Sequence, residues 1–202
     1  MIEKYYSGPE CGIITDVYVV TNDNNESILI DTTYEFGNLY DEITKKHNIK
    51  AVLITHSHID HIDGLKYFDN TNIPIYMSKE TKEALSDSRA SSYYIIGEDS
   101  PFRNNNLNII GYDIKFLITK GHTKGSTTFV IDSLNAIFSG DTLFPGRHGM
   151  TTYYGGNHID MLNSIDRILS YPDNYTIYPL PYVNNSIFKS FKNFKSWTDT
   201  FS

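Results

Sequence analysis

Short apolar runs separated by polar turns make up most of the hydrophobic pattern of this 202-residue chain. Runs of this length, rich in β-branched residues and bounded by Gly, Asn and Asp, predict β-strands. The polar turn at residues 22–26 joins the first two runs, which predicts a hairpin. The predicted strands are residues 13–20, 27–31, 51–54, 73–77, 109–118, 127–131, 136–139 and 175–177.

Segments with apolar residues at helical spacing lie between and after these strands. Ser78 is the predicted N-cap of one helix, and His47 is expected to be a solvated residue near the negative end of another. The aromatic and lysine residues of the last segment predict a core-packing helix, with a partner-binding or membrane-surface helix as the alternative. The predicted helices are residues 39–47, 79–85, 159–169 and 184–202.

Residues 86–108 have no clear period and hold Tyr93, Tyr94 and Phe102 among Ser, Asp and Asn. A poorly patterned stretch of this length inside a compact domain is often functional or mobile. Two interpretations stay open: a cover over a cleft with an aromatic underside, or a surface excursion that packs its tyrosines locally.

Composition narrows the class of protein. The length fits one domain, residues 1–202, that buries about 70% of its unfolded surface. The formal net charge is −7 and no run of Lys or Arg forms a stripe for phosphates, so we expect a small-molecule substrate and no nucleic acid. Cys11 is the only cysteine, no signal peptide is recognisable, and no segment has membrane-spanning length, which predicts a cytoplasmic protein.

The segment AVLITHSHIDHIDGL, residues 51–65, carries the strongest chemical signal. The strand period places His56 and His58 on one side of the backbone. A turn followed by a helix through residues 64–68 can bring Asp60 and His61 back to the same point. Polar groups packed this densely would each need a partner, so a metal site is the favoured interpretation.

Two further candidate ligands follow the ends of other strands. His122 lies in a Gly-rich loop after residues 109–118, and Asp141 follows residues 136–139. A site with three histidines needs one of them from a distant loop to close around the ion. Because open sheets place their ligands where strand ends converge, we expect all these side chains at one edge of a layered domain.

Three motifs resemble, in order, those of the metallo-β-lactamase superfamily. THSHIDHIDG at residues 55–64 resembles its His-x-His-x-Asp-His signature, KGHTKGS at 120–126 its Gly-His-Thr loop, and FSGDTLF at 138–144 its Gly-Asp segment. The residues of these motifs are most similar to those of the glyoxalase II-like branch. The resemblance implies an α/β fold, an αββα four-layer sandwich of two mixed β-sheets packed face to face with outer helices.

The same resemblance implies two neighbouring metal positions. Asp31 matches a carboxylate that supports the metal loop, a job it can do by holding a histidine through its other nitrogen. A turn-forming Asp is the alternative. The implied ligands are His56, His58 and His122 for the first ion, and Asp60, His61 and Asp141 for the second.

The sequence departs from the superfamily at the last ligand, a histidine in a Pro-Gly-His-Gly-like turn. Leu180 and Pro181 stand in its place, and neither can bind a metal. Even the loss of a supporting partner costs roughly 10 to 100-fold in metal affinity. We therefore expect one firmly bound zinc ion and a weak or empty second position, unless His148 replaces the ligand; a surface histidine is the favoured interpretation of His148.

The leading functional hypothesis is a metal-dependent hydrolase of a small thioester or ester. Zinc lowers the pKa of a bound water to about 7, which supplies a metal-bound hydroxide at neutral pH, and Asp60 would orient or deprotonate that water. One alternative is a mononuclear iron persulfide dioxygenase that uses His56, His122 and Asp141. Another is a catalytically degenerate metal-binding or partner-binding protein.

Overall fold

The first half of the chain forms a six-stranded mixed sheet. The computed structural model describes residues 1–6, 15–85, 93–97, 102 and 105–180. Its strands are Ile2–Tyr6 (β1), Asp16–Thr21 (β2), Glu26–Ile30 (β3), Asn48–Leu53 (β4), Ile75–Ser78 (β5) and Tyr93–Ile96 (β6). They lie in sequence order, antiparallel from β1 to β3 and parallel from β3 to β6.

A second mixed sheet comes from the later part of the chain. The strands there are Asn106–Ile109 (β7), Tyr112–Ile118 (β8), Thr127–Ile131 (β9), Ala136–Gly140 (β10), Leu143–Phe144 (β11), Arg147–His148 (β12) and Thr176–Pro179 (β13). The sheet order is β13-β10-β9-β8-β7, and β11 and β12 form a separate small hairpin. Only β13 is parallel to its neighbour in this sheet.

The main core lies between the two sheets. Tyr18 and Ile30 from the first sheet and Phe116, Phe129 and Phe138 from the second belong to one buried cluster. The rings of Tyr18 and Phe138 are 5.5 Å apart between their centroids. Apolar residues therefore meet across the sandwich, as expected for two sheets packed face to face.

Helices cover both outer faces of the sandwich. Ile43 packs outside the first sheet together with Phe68, and Ile165 packs outside the second against Ile137. The predicted αββα sandwich is therefore confirmed. The helices are Gly37–Lys46 (α1), Ile59–Ile62 (α2), Lys79–Ala84 (α3) and His158–Leu169 (α4), with 3-10 turns at Asp63–Phe68 and Asp132–Leu134.

The strand predictions need correction in two respects. The strands β1, β6, β11 and β12 were not predicted. The run at 109–118 is not one strand but belongs to the hairpin of β7 and β8. Ile110 and Gly111 have positive φ angles of 48° and 84°, which form the turn of that hairpin. Gly111 was the sequence signal for this break, because an isolated glycine inside an apolar run often interrupts a strand, whereas Ile110 itself gave no sign of its unusual backbone angle.

The aromatic residues of 86–108 pack locally where the structure describes them. Tyr94 lies in β6 and stacks on Tyr76 of β5, with ring centroids 5.3 Å apart. Phe102 also contacts Tyr76, at 5.9 Å. These contacts favour the interpretation of a locally packed excursion.

The expectation for His47 is wrong. It follows α1 but is buried, because β1 covers it: its Nε2 lies 2.7 Å from the Tyr5 hydroxyl and its Nδ1 lies 3.3 Å from the Thr21 hydroxyl.

The predicted N-cap of α3 is confirmed, since Ser78 Oγ accepts the backbone N–H of Thr81 at 3.1 Å.

Some predictions concern residues that the structure does not describe. Cys11 and the predicted helix at 184–202 lie outside the described ranges. Within those ranges, no helix combines the length and the apolar character that crossing a membrane requires.

Candidate metal centre

Three loops meet at the edge of the sandwich where β4, β8 and β10 end. The segment after β4 includes α2, and the loops after β8 and β10 supply one further side chain each. Neighbouring donor atoms of these side chains are no more than 3.5 Å apart, so the structure brings all the predicted ligands together. They are His56, His58, Asp60, His61, His122 and Asp141.

Three imidazoles form the first half of this group. Nδ1 of His58 lies 3.1 Å from Nε2 of His56 and 2.8 Å from Nε2 of His122. One ring nitrogen from each residue lies within 4.8 Å of the others. Nitrogen ligands at about 2.0–2.1 Å from a tetrahedral zinc ion are about 3.3 Å from one another. The spacing of the three nitrogen atoms therefore fits a shared cation.

A backbone hydrogen bond orients His122. Its Nδ1 lies 2.7 Å from the carbonyl oxygen of Met150, and because a carbonyl only accepts, Nδ1 is the donor. In the neutral ring, Nε2 then has its lone pair towards the other imidazoles. Gly149 allows this close approach, since a Cβ there would lie 3.0 Å from Nδ1 of His122.

His61, Asp141 and Asp60 form the second half of the group. Nε2 of His61 is 3.2 Å from Oδ1 of Asp141 and 3.5 Å from Oδ2 of Asp60. Nε2 of His61 and Oδ1 of Asp141 are buried and have no hydrogen-bond partner among the residues that the structure describes. Buried polar atoms nearly always have a partner, so a cation between these atoms fits the site.

Burial and charge set the protonation of the group. Burial, and then the neighbouring imidazoles, lowers the pKa of His56 well below its usual range, and burial also lowers the pKa of His58. Burial opposes the ionisation of Asp141, but the His61 charge outweighs it and lowers the pKa of that carboxyl. Burial likewise disfavours protonated His61, but Asp141 and Asp31 raise its pKa well above the usual value. Neutral imidazoles and ionised carboxylates are the forms that bind metals. These shifts favour that form in His56, His58 and Asp141, whereas His61 would have to release a proton when it binds an ion.

Asp31 supports the group from the end of β3. Its carboxylate lies 2.7 Å from Nδ1 of His61 and accepts the Thr55 backbone N–H at 2.6 Å and the Thr55 hydroxyl at 2.5 Å. Burial raises the pKa of Asp31, and the hydrogen bonds from His61 and Thr55 oppose the rise. Its φ of 56° is a turn conformation, so the supporting role and the turn role hold together. Asp31, His56 and His61 also have ligand atoms within 4.8 Å of one another, but the hydrogen bonds that the Asp31 oxygen atoms accept favour a role in supporting the ligands.

The loop that carries His122 depends on Gly121. This glycine has a φ of 134°, which favours glycine over every other residue. A Cβ at this position would lie 2.4 Å from the backbone of Met161 in α4. The carbonyl of Gly121 also accepts the N–H of Asn157, the cap of α4, at 2.8 Å. The close contact with α4 therefore fixes the position of the loop.

A cleft of about 750 Å³ opens beside His58 and Asp60. The ring of Tyr153 meets that of His58 edge-on at 5.7 Å, and Tyr154 is 98% exposed. A cleft of this volume suits a small molecule. The other lining residues are Ser57, Ile59, Glu80, Glu83, Ala84, Thr123, Lys124, Gly125 and Gly155.

His148 does not join the group in the described part of the chain. Its Nδ1 lies 2.7 Å from the Gly149 carbonyl oxygen, and its ring lies 5.5 Å from that of His158. These contacts favour the interpretation of a surface histidine. Leu180 is fully buried in the core between the sheets, and its carbonyl accepts the N–H of Asp16. Pro181 lies outside the described residues.

Sequence reasoning missed three residues that contact the group. The Thr15 hydroxyl donates to Oδ2 of Asp60 at 2.9 Å, and Thr55 contacts both Asp31 and His56. Thr55 directly precedes His56, so the motif itself held a signal for it. Met150 acts through its carbonyl, for which a side-chain pattern offers no signal.

Comparisons with curated proteins identify relatives of part of the chain. A probable metallo-hydrolase, YqgX, of Bacillus subtilis (strain 168) is 30% identical over 140 residues, which cover 61% of this chain and 64% of that protein. A hydroxyacylglutathione hydrolase of Prochlorococcus marinus (strain MIT 9312) is 35% identical over 139 residues, which cover 64% of this chain and 50% of that protein. The matched part thus spans from about half to just under two thirds of the length of these relatives. The similarity to a hydroxyacylglutathione hydrolase is consistent with the predicted glyoxalase II-like branch.

Solved structures show the same fold at low identity. BLEG-1 B3 metallo-beta-lactamase matches with a TM-score of 0.75 and 24% identity over 93% of both chains. ETHE1 from Myxococcus xanthus matches with a TM-score of 0.72 and 19% identity over 93% of this chain and 79% of that one. The family model described as the metallo-beta-lactamase superfamily matches residues 12–179. The chain therefore belongs to the metallo-beta-lactamase superfamily, whose members bind metal ions, as its three motifs predicted.

Proposed function

We propose that this protein is a metal-dependent hydrolase of a small thioester or ester. The observation that carries the proposal is the meeting of three imidazole nitrogen atoms within 4.8 Å of one another, beside a cleft that also exposes Asp60. Three histidines with an open fourth position are the usual ligand set of catalytic zinc. Membership of a superfamily of metallo-hydrolases supports enzymatic activity.

Each residue of the group has a distinct task in this proposal. His56, His58 and His122 hold the ion, which when bound supplies a Lewis acid and a water of lowered pKa. Asp60 orients the attacking water or takes up its proton. The Thr15 hydroxyl donates to Oδ2 of Asp60 and thereby orients this carboxylate.

The cleft walls orient the substrate. Tyr153 and Tyr154 offer aromatic surface, and Ile59, which is 53% exposed, adds an apolar side chain near His58. Contacts of this kind would hold the acyl group in place, so that its carbonyl lies next to Asp60 and the three histidines.

We further propose one firmly bound zinc ion and a weaker second position. His61, Asp141 and Asp60 offer donors for the second ion. The sequence has Leu180 and Pro181 where the superfamily has its last histidine, and Leu180 is buried between the sheets. Fewer ligands give a weaker site.

Elemental analysis of protein purified without added metal, combined with turnover assays, tests both proposals. We expect about one zinc per chain and hydrolysis of thioesters or esters in a panel that also includes lactones and β-lactams. His122→Ala should abolish both metal binding and turnover, whereas the matched variant His148→Ala should retain them.

Other outcomes would replace the proposal. Two tightly bound zinc ions would contradict the argument from Pro181. Iron with oxygen uptake on a persulfide would favour the dioxygenase, whose predicted carboxylate, Asp141, lies 3.4 Å from Nε2 of His122. No turnover at full metal occupancy would favour a degenerate metal-binding protein.

A further inference from the structure

The hydroxyl of Thr55 lies between a carboxylate and an imidazole. Its Oγ1 is 2.5 Å from Oδ2 of Asp31 and 3.0 Å from Nδ1 of His56, and all three residues are buried. A threonine hydroxyl has one proton to donate and lone pairs with which to accept. The direction of these two hydrogen bonds therefore decides which nitrogen of His56 carries a proton.

The two faces of the His56 ring determine that direction. Its Nε2 lies 3.1 Å from Nδ1 of His58, among the imidazoles that would share the ion, so Nε2 is the nitrogen that needs a free lone pair and Nδ1 is the one that carries the proton. The Thr55 oxygen, 3.0 Å away, accepts this Nδ1–H. The one proton of the Thr55 hydroxyl then lies towards Oδ2 of Asp31.

The position of the Thr55 side chain is fixed from several sides. Its backbone N–H donates to Asp31 at 2.6 Å, and its carbonyl accepts the N–H of Thr127 from the second sheet at 2.8 Å. Gly140, at the end of β10, leaves just enough room, because a Cβ there would lie 2.8 Å from Cβ and Oγ1 of Thr55. The hydroxyl thus has little freedom to rotate away from Asp31 and His56.

We propose that Thr55 is a positioning residue of the metal centre, which fixes the tautomer and ring orientation of His56 by linking it to Asp31. Asp31 then holds two imidazoles at once, His61 directly and His56 through the Thr55 hydroxyl. The inference rests on the metal site proposed above but on neither the substrate nor the reaction.

Thr55→Val tests this role because valine has a similar shape and keeps the backbone N–H bond to Asp31. We expect the zinc affinity, measured by competition with a chelator, to fall roughly 10 to 100-fold, as for other partners of metal-binding histidines. In nitrogen NMR spectra of the metal-free protein, Nε2 of His56 should be unprotonated in the parent protein and partly protonated in Thr55→Val. Thr55→Ser restores the hydroxyl and should restore both properties.

Thr21→Val is a matched control. Thr21 is also a buried threonine beside a buried histidine, with its hydroxyl 3.3 Å from Nδ1 of His47. It is the last residue of β2, whereas Thr15, which contacts the candidate metal centre, directly precedes the first residue of that strand. This variant should lose thermal stability and keep the zinc affinity. Unchanged zinc affinity and His56 tautomer in Thr55→Val, or no rescue by Thr55→Ser, would overturn the inference. A protein that binds zinc as expected but hydrolyses nothing would instead overturn the proposed reaction and leave the role of Thr55 intact.

Discussion

Nδ1 of His61 lies 2.7 Å from the carboxylate of Asp31, and neither side chain is exposed to solvent. The bond makes Nδ1 the donor and directs Nε2 towards Asp141, 3.2 Å away. A buried pair of this kind is expensive to break, because the remaining charge stays in the interior without a partner. The pair therefore affects both folding and the geometry of the metal centre.

Asp31→Asn should separate the charge from the backbone conformation. Asparagine tolerates the positive φ at this position, so the turn is kept while the negative charge is lost. We expect a loss of about 3 kcal/mol in the free energy of unfolding, measured by urea denaturation of the metal-free protein. Zinc affinity should fall as well, and a stability equal to that of the parent protein would contradict the importance of the pair. Asp31→Ala also removes a side chain that tolerates the positive φ of this turn, so it should lower the free energy of unfolding by more than Asp31→Asn does.

Gly121→Ala should displace the loop that carries His122. The new Cβ would meet the backbone of Met161 at 2.4 Å, and the φ of 134° disfavours alanine, so we expect a loss of about 2–4 kcal/mol in the free energy of unfolding. Chelator competition should show weaker zinc binding. Gly111→Ala is the control: it also has a positive φ, but a Cβ there meets nothing within 4 Å. That variant should lose about 1–2 kcal/mol and keep its metal affinity.

The charges of the cleft should discriminate between substrates. Glu80, Glu83 and Lys124 line it, and none of them forms an ion pair with another residue of the described ranges. Charges a few ångströms apart near water interact by about 1 kcal/mol, less at high salt. Glu80→Gln and Glu83→Gln should therefore each raise kcat/KM for an anionic thioester about two- to five-fold relative to a neutral one, and Lys124→Gln should lower it.

The matched control for the cleft is Glu42→Gln, an exposed position on α1 that does not line the cleft. It should leave the ratio of kcat/KM values unchanged. Added salt should reduce the effect of the cleft variants. Equal ratios in all four variants would contradict an electrostatic role for these residues.

His47 should make folding sensitive to mild acid. Burial lowers its pKa in the folded protein below the ordinary value, and Glu3 only partly opposes this. Because unfolded histidine titrates at about pH 6.5, the stability that neutral His47 provides is complete above that pH and is lost as the pH falls towards the folded-state pKa. The free energy of unfolding should thus fall less steeply between about pH 7 and about pH 5 in His47→Gln than in the parent protein. Equal slopes would contradict this assignment.

The sequence predicted the parts of the molecule that depend on periodicity and on dense motifs. Residues 127–131 were predicted as a strand with the bounds of β9, and the ligand-bearing loops follow strand ends as expected. The structure also brings His122 from its distant loop to within 2.8 Å of His58. Both results follow from local patterns that contain the relevant residues.

The features that the sequence did not predict depend on distant partners or on the backbone. His47 looked solvated among polar neighbours, but β1 buries it through Tyr5, which is 42 residues away. The bond from His122 to Met150 uses a carbonyl group, for which the order of apolar and polar side chains has no signature. The break at Ile110 lies in a backbone angle, and only the neighbouring Gly111 marked it in the sequence.

The convergence of loops from both sheets has a mechanical consequence. His58 follows the first sheet and Asp141 the second, and the protein itself joins the sheets at this edge through the Thr127 N–H and the Thr55 carbonyl, 2.8 Å apart. A cation bound by ligands from both sheets would join the two layers of the sandwich at this edge. Since a ligand that binds only the folded chain stabilises it more the higher its affinity, removing such an ion would lower the thermal stability of the whole domain as well as the proposed activity.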